Sequence, residues 1–442
     1  MATSDLGPDP ARRPSDESPD PRTDPEATTG TEVTTGAGER PGAVTWADVE
    51  AARALLDGVI RVTPIMNAGA LGELVGGPVY AKCENLQRAG SFKIRGAYNR
   101  MANLTEPERA AGVVAASAGN HAQGVALAAR LLGITSTVFM PFGAALPKER
   151  ATRGYGAHVI TSGHSVDEAL VAARAFAAET GAVLIHPFDH PHVVAGQATV
   201  GLEILDQVPD ARTVLVSCGG GGLLAGIAYA IKRERPEARV VGVQSEGAAA
   251  YPPSLAAGQP IALDSMSTMA DGIAVGRPGG VPFEIVHRLV DDIVTVSEDD
   301  LSRGLLHLLE RLKLVVEPAG AATVGALMRD PRAYEPPVVA VLSGGNVDPL
   351  LLLRVLRHGL AADGRYLSFR VRIPDRPGAL ARLLTELAEV DANVLDVAHQ
   401  RTGARLHVDE VEVALQVETR GAEHAEAAMA HLRDLGYPSN FA

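Results

Sequence analysis

From Trp46 to about Leu360, short apolar runs alternate with longer amphipathic stretches rich in alanine and leucine. Short unbroken apolar runs are typical of strands buried on both faces, and the stretches between them have the periodicity of helices. The alternation predicts an α/β region of parallel sheets flanked by helices. The predicted strands are Val79–Cys83, Gly112–Ala116, Thr135–Met140, His158–Thr161, Val183–His186, Thr213–Ser217, Val240–Gln244 and Val338–Leu342, and the predicted helices include Ala122–Leu132, Val166–Glu179, Leu223–Arg233 and Asp299–Leu312.

Residues 366–442 have a different pattern, in which apolar and polar residues alternate along the strands. The order of elements, βαββα with a short terminal strand, predicts a small, separate α+β module. Such a short segment builds only a modest core, so we expect the module to dock or to dimerise. Its predicted elements are Leu367–Ile373, Ala379–Val390, Asn393–Gln400, Glu410–Glu418 and a helix around His424–Leu435.

Residues 1–44 contain no aromatic residue and are rich in proline, acidic residues, threonine and glycine. A segment of this composition buries too little apolar surface to offset its ordering entropy, so it is predicted to be a disordered acidic tail. The predicted organisation is therefore this tail, an α/β region at 45–360 and the module at 366–442.

The chain has 40 lysines and arginines against 53 acidic residues, a formal net charge of −13. This excess of acid argues against nucleic acid or an anionic membrane as a partner. The two cysteines exclude a disulfide scaffold and a thiolate zinc site, and they fit a cytoplasmic protein. The uncharged run Val214–Ile231 contains four consecutive glycines, so we interpret it as strand, loop and helix rather than as a membrane span.

The run Ser217–Leu223 holds those glycines between a predicted strand and a predicted helix. Bare backbone N–H groups at a helix start can converge on a phosphate. The same run also satisfies a degenerate dinucleotide pattern through Gly220, Gly222 and Ala225. A tight structural turn is the third interpretation, and the pattern alone leaves all three open.

Three further motifs carry candidate chemistry, each with an ordinary structural alternative. In Gly90–Gly96, Lys93 is either a surface cation or a buried lysine that forms a Schiff base with a carbonyl. In Ser117–Gly124, the turn either caps a helix or offers N–H groups to a carboxylate, with Asn120 as a directed donor. In Ser343–Asn346, the serine either belongs to a turn or directs its hydroxyl at a ring nitrogen.

Taken in this order, the motifs resemble the fold type II (β-family) pyridoxal-phosphate enzymes, and most of all the threonine ammonia-lyases, or threonine dehydratases. The resemblance covers Trp46 to Leu360 and implies a two-domain fold of parallel sheets flanked by helices. Residues 45–360 would form the catalytic region, with a smaller subdomain of roughly 86–190 inserted in the larger one. It includes four connecting signatures: His186–Asp189, Gly196–Thr199, Thr268–Ile273 and Glu317–Ala321.

The resemblance implies pyridoxal 5'-phosphate as the cofactor and a role for each motif. Lys93 would bind the cofactor covalently and later remove the proton from the substrate Cα. The backbone of residues 117–121 would bind the substrate carboxylate. The implied cofactor-binding residues are Phe92, Lys93, Asn120, Gly219, Gly220, Gly221, Gly222, Leu223, Gly272, Glu317 and Ser343, and the implied substrate-binding residues are Ser117, Ala118, Gly119, Asn120 and His121.

The implied reaction is the deaminating dehydration of L-threonine to 2-oxobutyrate and ammonia, with L-serine as a lesser substrate, in isoleucine biosynthesis or threonine catabolism. Serine racemases of this family carry a second serine where this chain has Ala118, which cannot take a proton, so elimination is expected to dominate. They also bind a divalent ion through carboxylates that would align near Gln244 and Ala250. Neither residue is acidic, and we predict no metal site of that kind.

Other functions remain open at this point. L-serine dehydratase, threonine synthase and serine racemase chemistry share the implied fold. A nicotinamide-dependent dehydrogenase would use the degenerate glycine pattern but leaves Lys93 and Ser343 without a role. A non-catalytic amino-acid sensor would not need Lys93.

Residues 366–442 resemble an ACT domain, a βαββαβ unit that binds small molecules, often amino acids, at a dimer interface. The matching signature is Ile373–Leu380, followed by Asn393 and Val394. The resemblance implies effector binding by Asp375, Pro377, Gly378 and Asn393, with isoleucine or valine as first candidates, in a homodimer or homotetramer. A dimerisation module without a ligand is the alternative.

Overall fold

The computed structural model describes residues 43–401, 407–437 and 439–441. The predicted acidic tail lies outside these residues, apart from its last two positions. The strands are β1 Ile65–Asn67, β2 Val79–Lys82, β3 Val113–Ala116, β4 Ser136–Met140, β5 His158–Thr161, β6 Val183–Leu184, β7 Thr213–Ser217, β8 Arg239–Ser245, β9 Asp292–Val296, β10 Val338–Val341, β11 Tyr366–Pro374, β12 Asn393–Gln400, β13 Glu410–Glu418 and β14 Ser439–Phe441.

The helices alternate with these strands up to α14, which leads into the C-terminal module. They are α1 Trp46–Leu56, α2 Gly69–Val75, α3 Lys93–Ala102, α4 Glu106–Ala111, α5 Asn120–Leu132, α6 Leu146–Gly154, α7 Val166–Thr180, α8 Pro191–Gln207, α9 Gly222–Glu234, α10 Tyr251–Ala257, α11 Gly280–Leu289, α12 Glu298–His307, α13 Pro318–Arg329, α14 Pro349–Ala362, α15 Ala379–Glu389 and α16 Ala422–Asp434. None of the helices among the described residues combines the length and the apolarity that a membrane crossing requires.

Two sheets carry the catalytic region. The larger has the strand order β1-β2-β10-β7-β8-β9, and the smaller has the order β5-β4-β3-β6. All neighbouring strands are parallel except β1 and β2. The central strands are buried on both faces because helices cover both sides, which explains their unbroken apolar sequences. The carboxyl ends of parallel strands meet at one edge of each sheet, where the glycine-rich motifs lie.

The C-terminal module contains the antiparallel sheet β12-β13-β11-β14. Phe369, Val371 and Ile373 alternate toward a core that helices α15 and α16 cover, while the residues between them face away. The predicted α/β class and the predicted α+β module are both confirmed.

Some local predictions are wrong. The predicted strand Val183–His186 ends at Leu184, and the predicted helix Asp299–Leu312 is α-helical only to His307, after which Leu308–Leu312 forms a π-helical turn. Strands β1 and β9 escaped prediction because β1 has three residues and β9 begins at the second of two consecutive aspartates, Asp291 and Asp292. The predicted parallel sheets are confirmed, with one antiparallel neighbour, β1, at the edge of the larger sheet.

Candidate active site

The two sheets of the catalytic region border one cavity of about 690 Å³. The residues predicted to bind cofactor and substrate all line it, although they come from distant parts of the chain. These are Phe92, Lys93, Ser117, Ala118, Gly119, Asn120, His121, Gly219, Gly220, Gly221, Gly222, Leu223, Gly272, Glu317 and Ser343.

Lys93 is the first residue of α3, and its side chain points into the cavity. Its ammonium donates to the Pro187 carbonyl at 3.1 Å and lies 5.1 Å from the centroid of the Phe92 ring. Burial lowers the pKa of Lys93 to about 8, against the opposing influence of the Glu317 carboxylate. A larger share of this amine is therefore neutral near pH 7 than for an exposed lysine, and the neutral amine is the nucleophile and the base.

A buried ionic network fixes the helix that begins at Lys93. The guanidinium of Arg95 donates to both oxygens of Glu84 at 2.8 Å and to Glu203 at 2.6 Å. Lys82 donates to the other oxygen of Glu203 at 2.5 Å. The side chains of Arg95 and Glu84 are fully buried, so the ion pairs replace the hydration that each charge loses on burial. Through Arg95, which lies two residues after Lys93, the network connects α3 to the end of β2 and to α8.

The segment before Lys93 also pairs with the segment that carries Ser343. Ser91 and Gly344 form an isolated antiparallel bridge, and the Phe92 N–H donates to the Ser343 carbonyl at 3.2 Å. Two motifs about 250 residues apart in sequence are thus joined through their backbones beside the cavity.

The glycine loop follows β7 and leads into α9. Gly221 has φ +96°, and a Cβ there would collide with the Tyr251 hydroxyl. A Cβ at Gly220 would collide with the Phe188 ring. The loop therefore requires bare backbone, which leaves the first N–H groups of α9 directed at the cavity. The buried hydroxyl of Ser217, beside the loop, has no hydrogen-bond partner among the described residues.

Asn120 is held from two sides at the start of α5. It donates to Glu317 Oε1 at 2.5 Å and accepts from Asn346 Nδ2 at 2.8 Å. Burial raises the pKa of the Glu317 carboxyl to about 7, and its Oε2 has no partner among the described residues. His121 donates through Nε2 to the Ile185 carbonyl at 2.7 Å, and burial lowers its pKa to about 3, so it is neutral.

Sequence reasoning gave no role to three polar residues that the structure places at this site. Asn346 belongs to the Ser343 motif, but its contact with Asn120 depends on the tertiary fold. Lys148 and Asp271 line the cavity as an ion pair, with Nζ and Oδ2 at 2.5 Å. The available signal was that Lys148 directly follows Pro147, a residue favoured at helix starts, where the helix dipole disfavours a cation.

The four residues predicted for effector binding do not meet within the chain. Asp375, Pro377 and Gly378 follow the end of β11, where Pro374 pairs with Glu410. Asn393 pairs with Glu418, which also pairs with Tyr366 at the other end of β11. The sheet therefore separates Asn393 from the other three by roughly 27 Å, the length of eight strand steps.

Comparisons with known proteins identify the family of this chain. The model of the family described as pyridoxal-phosphate dependent enzyme matches residues 56–344. The chain belongs to the pyridoxal-phosphate dependent enzymes. An ACT domain model matches residues 368–436, so the C-terminal module is an ACT domain.

Two curated relatives match nearly along their whole length. One, named L-threonine ammonia-lyase, from Geobacter sulfurreducens, is 47% identical over 86% of this chain and 94% of its own. The other, of the same name, from Thermotoga maritima, is 45% identical over 89% of this chain and 98% of its own.

Two solved structures are similar to the catalytic region. Maize serine racemase has a TM-score of 0.68 and 36% identity, covering 72% of this chain and 98% of its own. The threonine deaminase from T.th. has a TM-score of 0.66 and 40% identity, covering 69% of this chain and 99% of its own.

The residues of the cavity fit pyridoxal phosphate, the cofactor of this family. A buried lysine faces the cavity, and the glycine loop is kept bare by Tyr251 and Phe188. The unpartnered Ser217 hydroxyl and Glu317 Oε2 are buried polar atoms in the walls of the same cavity, as a site for a polar cofactor requires. The family match favours the phosphate-cradle interpretation of the glycines over the dinucleotide one.

Proposed function

We propose that this chain is an L-threonine ammonia-lyase that converts L-threonine to 2-oxobutyrate and ammonia, and L-serine less efficiently to pyruvate. The observation that carries the proposal is the convergence of Lys93, the glycine loop, Asn120 and Ser343 on one cavity. Relatives named L-threonine ammonia-lyase at 45–47% identity support the choice of substrate.

Four groups of this chain would hold the cofactor. The Lys93 amine would bind its aldehyde carbon, and the N–H groups from Gly219 to Leu223 would bind its phosphate. Asn120 would donate to its phenolic oxygen, and Ser343 would face its pyridine nitrogen. When bound, pyridoxal phosphate withdraws the electron pair left on the substrate Cα, so that the β-hydroxyl can leave.

Residues of the protein carry out proton removal and substrate binding. Lys93 removes the proton from Cα, a role that suits an amine whose pKa burial lowers to about 8. Backbone groups of residues 117–121 bind the substrate carboxylate at the start of α5. The Ser117 N–H donates to the Phe139 carbonyl and the Gly119 N–H to the Ser117 hydroxyl, each at 3.1 Å, so the N–H groups of Ala118, Asn120 and His121 are the ones left for the carboxylate. Ala118 lines the same turn and has no proton to exchange, which favours elimination over the racemisation suggested by the maize serine racemase likeness.

The deciding experiment measures 2-oxobutyrate release from L-threonine by the purified, cofactor-loaded protein. Lys93→Ala should abolish both release and the visible absorption band of the bound cofactor. Lys232→Met, which removes a lysine paired with Asp291 outside the cavity, should preserve both. No release from L-threonine by a protein that holds its cofactor would refute the proposed substrate.

The ACT domain supports amino-acid regulation of this activity, and we propose isoleucine or valine as the effector. Because Asn393 is far from Gly378 within one chain, a site that uses both would combine two copies, in a homodimer or homotetramer. We expect this assembly in the cytoplasm. Equilibrium dialysis with labelled isoleucine and valine tests the effector, and sedimentation velocity tests the assembly. No retention at millimolar concentrations would exclude these two effectors, and a monomer would exclude the shared site.

A further inference from the structure

The ion pair of Lys148 and Asp271 crosses the cavity and has no part in the function proposed above. Lys148 is the third residue of α6, which follows β4 of the smaller sheet. Asp271 begins a short 3₁₀ turn that packs against α13, beside the larger sheet. The pair therefore connects elements from the two sides of the cavity.

The ammonium of Lys148 has donors to spare. Its side chain is only 8% exposed, whereas that of Asp271 is 56% exposed. In the described part of the chain, Asp271 is the only hydrogen-bond partner of this ammonium, which has three N–H donors. Two donors are left at the cavity wall, in a place where water is largely excluded.

The position of Lys148 opposes folding in two ways. A cation in the first turn of a helix is repelled by the helix dipole, and a buried ammonium loses hydration. Asp271 supplies a partner for only one of the three N–H donors of this ammonium. A residue placed at such a cost to stability points to binding of a second anion.

The geometry identifies where that anion would lie. A Cβ added to Gly119 would be 3.8 Å from Lys148 Nζ, so the ammonium borders the turn at residues 117–121. The start of α5 borders the same space, and within the described residues the N–H groups of Ala118, Asn120 and His121 have no hydrogen-bond partner. Two sources of positive potential thus converge on the place assigned above to the substrate carboxylate.

We propose that Lys148 binds the α-carboxylate of the amino-acid substrate together with the N–H groups of Ala118, Asn120 and His121, and that Asp271 holds Lys148 in position. The inference rests on the proposed function, because it concerns the same substrate site. It assigns to Lys148 the recognition of a free carboxylate, so amides and esters of the same amino acid should bind weakly.

The test uses the full-length, cofactor-loaded enzyme and its Lys148→Met variant. KM for L-threonine should rise on the order of tenfold to hundredfold, as expected for a lost hydrogen bond to a charged group, with kcat changed less than about threefold. Lys232→Met, which breaks a lysine–aspartate pair outside the cavity, should leave KM unchanged. An unchanged KM in Lys148→Met would overturn the inference.

A second measurement separates carboxylate binding from a merely structural bridge. Titration of the cofactor absorbance with L-alanine and with L-alaninamide, at one pH, gives the preference for the free carboxylate. This preference should shrink at least about tenfold in Lys148→Met and by a clearly smaller factor in Asp271→Asn, which keeps the ammonium but loses the charge that positions it. An equal loss in both variants would assign the effect to the bridge and overturn the inference.

The two proposals fail in different ways. If the wild-type enzyme prefers L-alanine over L-alaninamide but releases no 2-oxobutyrate, the substrate assignment fails and the role of Lys148 stands. If 2-oxobutyrate is released normally and Lys148→Met keeps the full preference, only the role of Lys148 fails. The cofactor absorption band and the thermal midpoint of each variant confirm that it has folded.

Discussion

The Nδ2 group of Asn120 lies 2.5 Å from Oε1 of Glu317, while the Oδ1 atom of Asn120 accepts from Asn346 at 2.8 Å. The amide is thus fixed in orientation, with its donor toward a buried carboxyl group and its acceptor occupied. A side chain oriented in this way needs little rearrangement to donate to a ligand in the cavity.

Asn120→Ala should lower the rate of 2-oxobutyrate release by about tenfold to hundredfold, because it removes a fixed donor and leaves the buried Glu317 without its partner. Asn346→Ala removes only one of the two contacts of Asn120 and should cause a smaller loss. Steady-state kinetics on both variants measures the difference. Equal losses would contradict the idea that Asn120 is the residue that contacts the ligand.

The lowered pKa of Lys93 predicts how the cofactor-free enzyme recombines with pyridoxal phosphate. The neutral amine is the reactive form, so the rate should rise about tenfold per pH unit below pH 8 and level off above it. Stopped-flow absorbance at several pH values gives this profile, with Nα-acetyl-lysine as the reference. A rate that continues to rise to pH 10, as for the reference amine, would contradict the lowered pKa.

Gly221→Ala should weaken cofactor binding by more than about tenfold, since a side chain at φ +96° is strained and would displace the Tyr251 hydroxyl. Gly258→Ala is the matched control: its φ is +66°, but nothing lies within 4 Å of the added Cβ. The dissociation constant for pyridoxal phosphate, from absorbance titration, compares the two. Similar constants for the two variants would contradict the idea that the closed packing at Gly221 is needed for cofactor binding.

Arg95→Met should destabilise the enzyme by about 3–5 kcal/mol, because it leaves Glu84 buried without its partner. Arg53→Met breaks the exposed pair with Asp206 and should change stability by less than about 1 kcal/mol. Urea unfolding of both variants measures the effect. A loss of activity in Arg95→Met at temperatures where it remains folded would show that the network also positions Lys93.

Local rules predicted most of the catalytic strands, whereas the resemblance to a known enzyme family implied the residues that line the cavity. Apolar runs mark buried strands, and the ends of parallel strands meet at one edge of a sheet. Arg95 lies inside the motif Gly90–Gly96, but tertiary packing determines its partners Glu84 and Glu203. No local sequence pattern could therefore identify the ionic network. For the same reason the Lys148–Asp271 pair and the separation of Asn393 from Gly378 became visible only in the fold.

The backbone bridge between Ser91 and Gly344 affects the enzyme in its cofactor-free state. It joins the segment of Lys93 to the segment of Ser343 through main-chain atoms alone, so these two walls of the pocket are held together without the cofactor. At these two segments, binding of the cofactor then has little loss of chain entropy to overcome. A molecule that loses its cofactor would remain a folded acceptor and could be reloaded directly, without passing through the unfolded state.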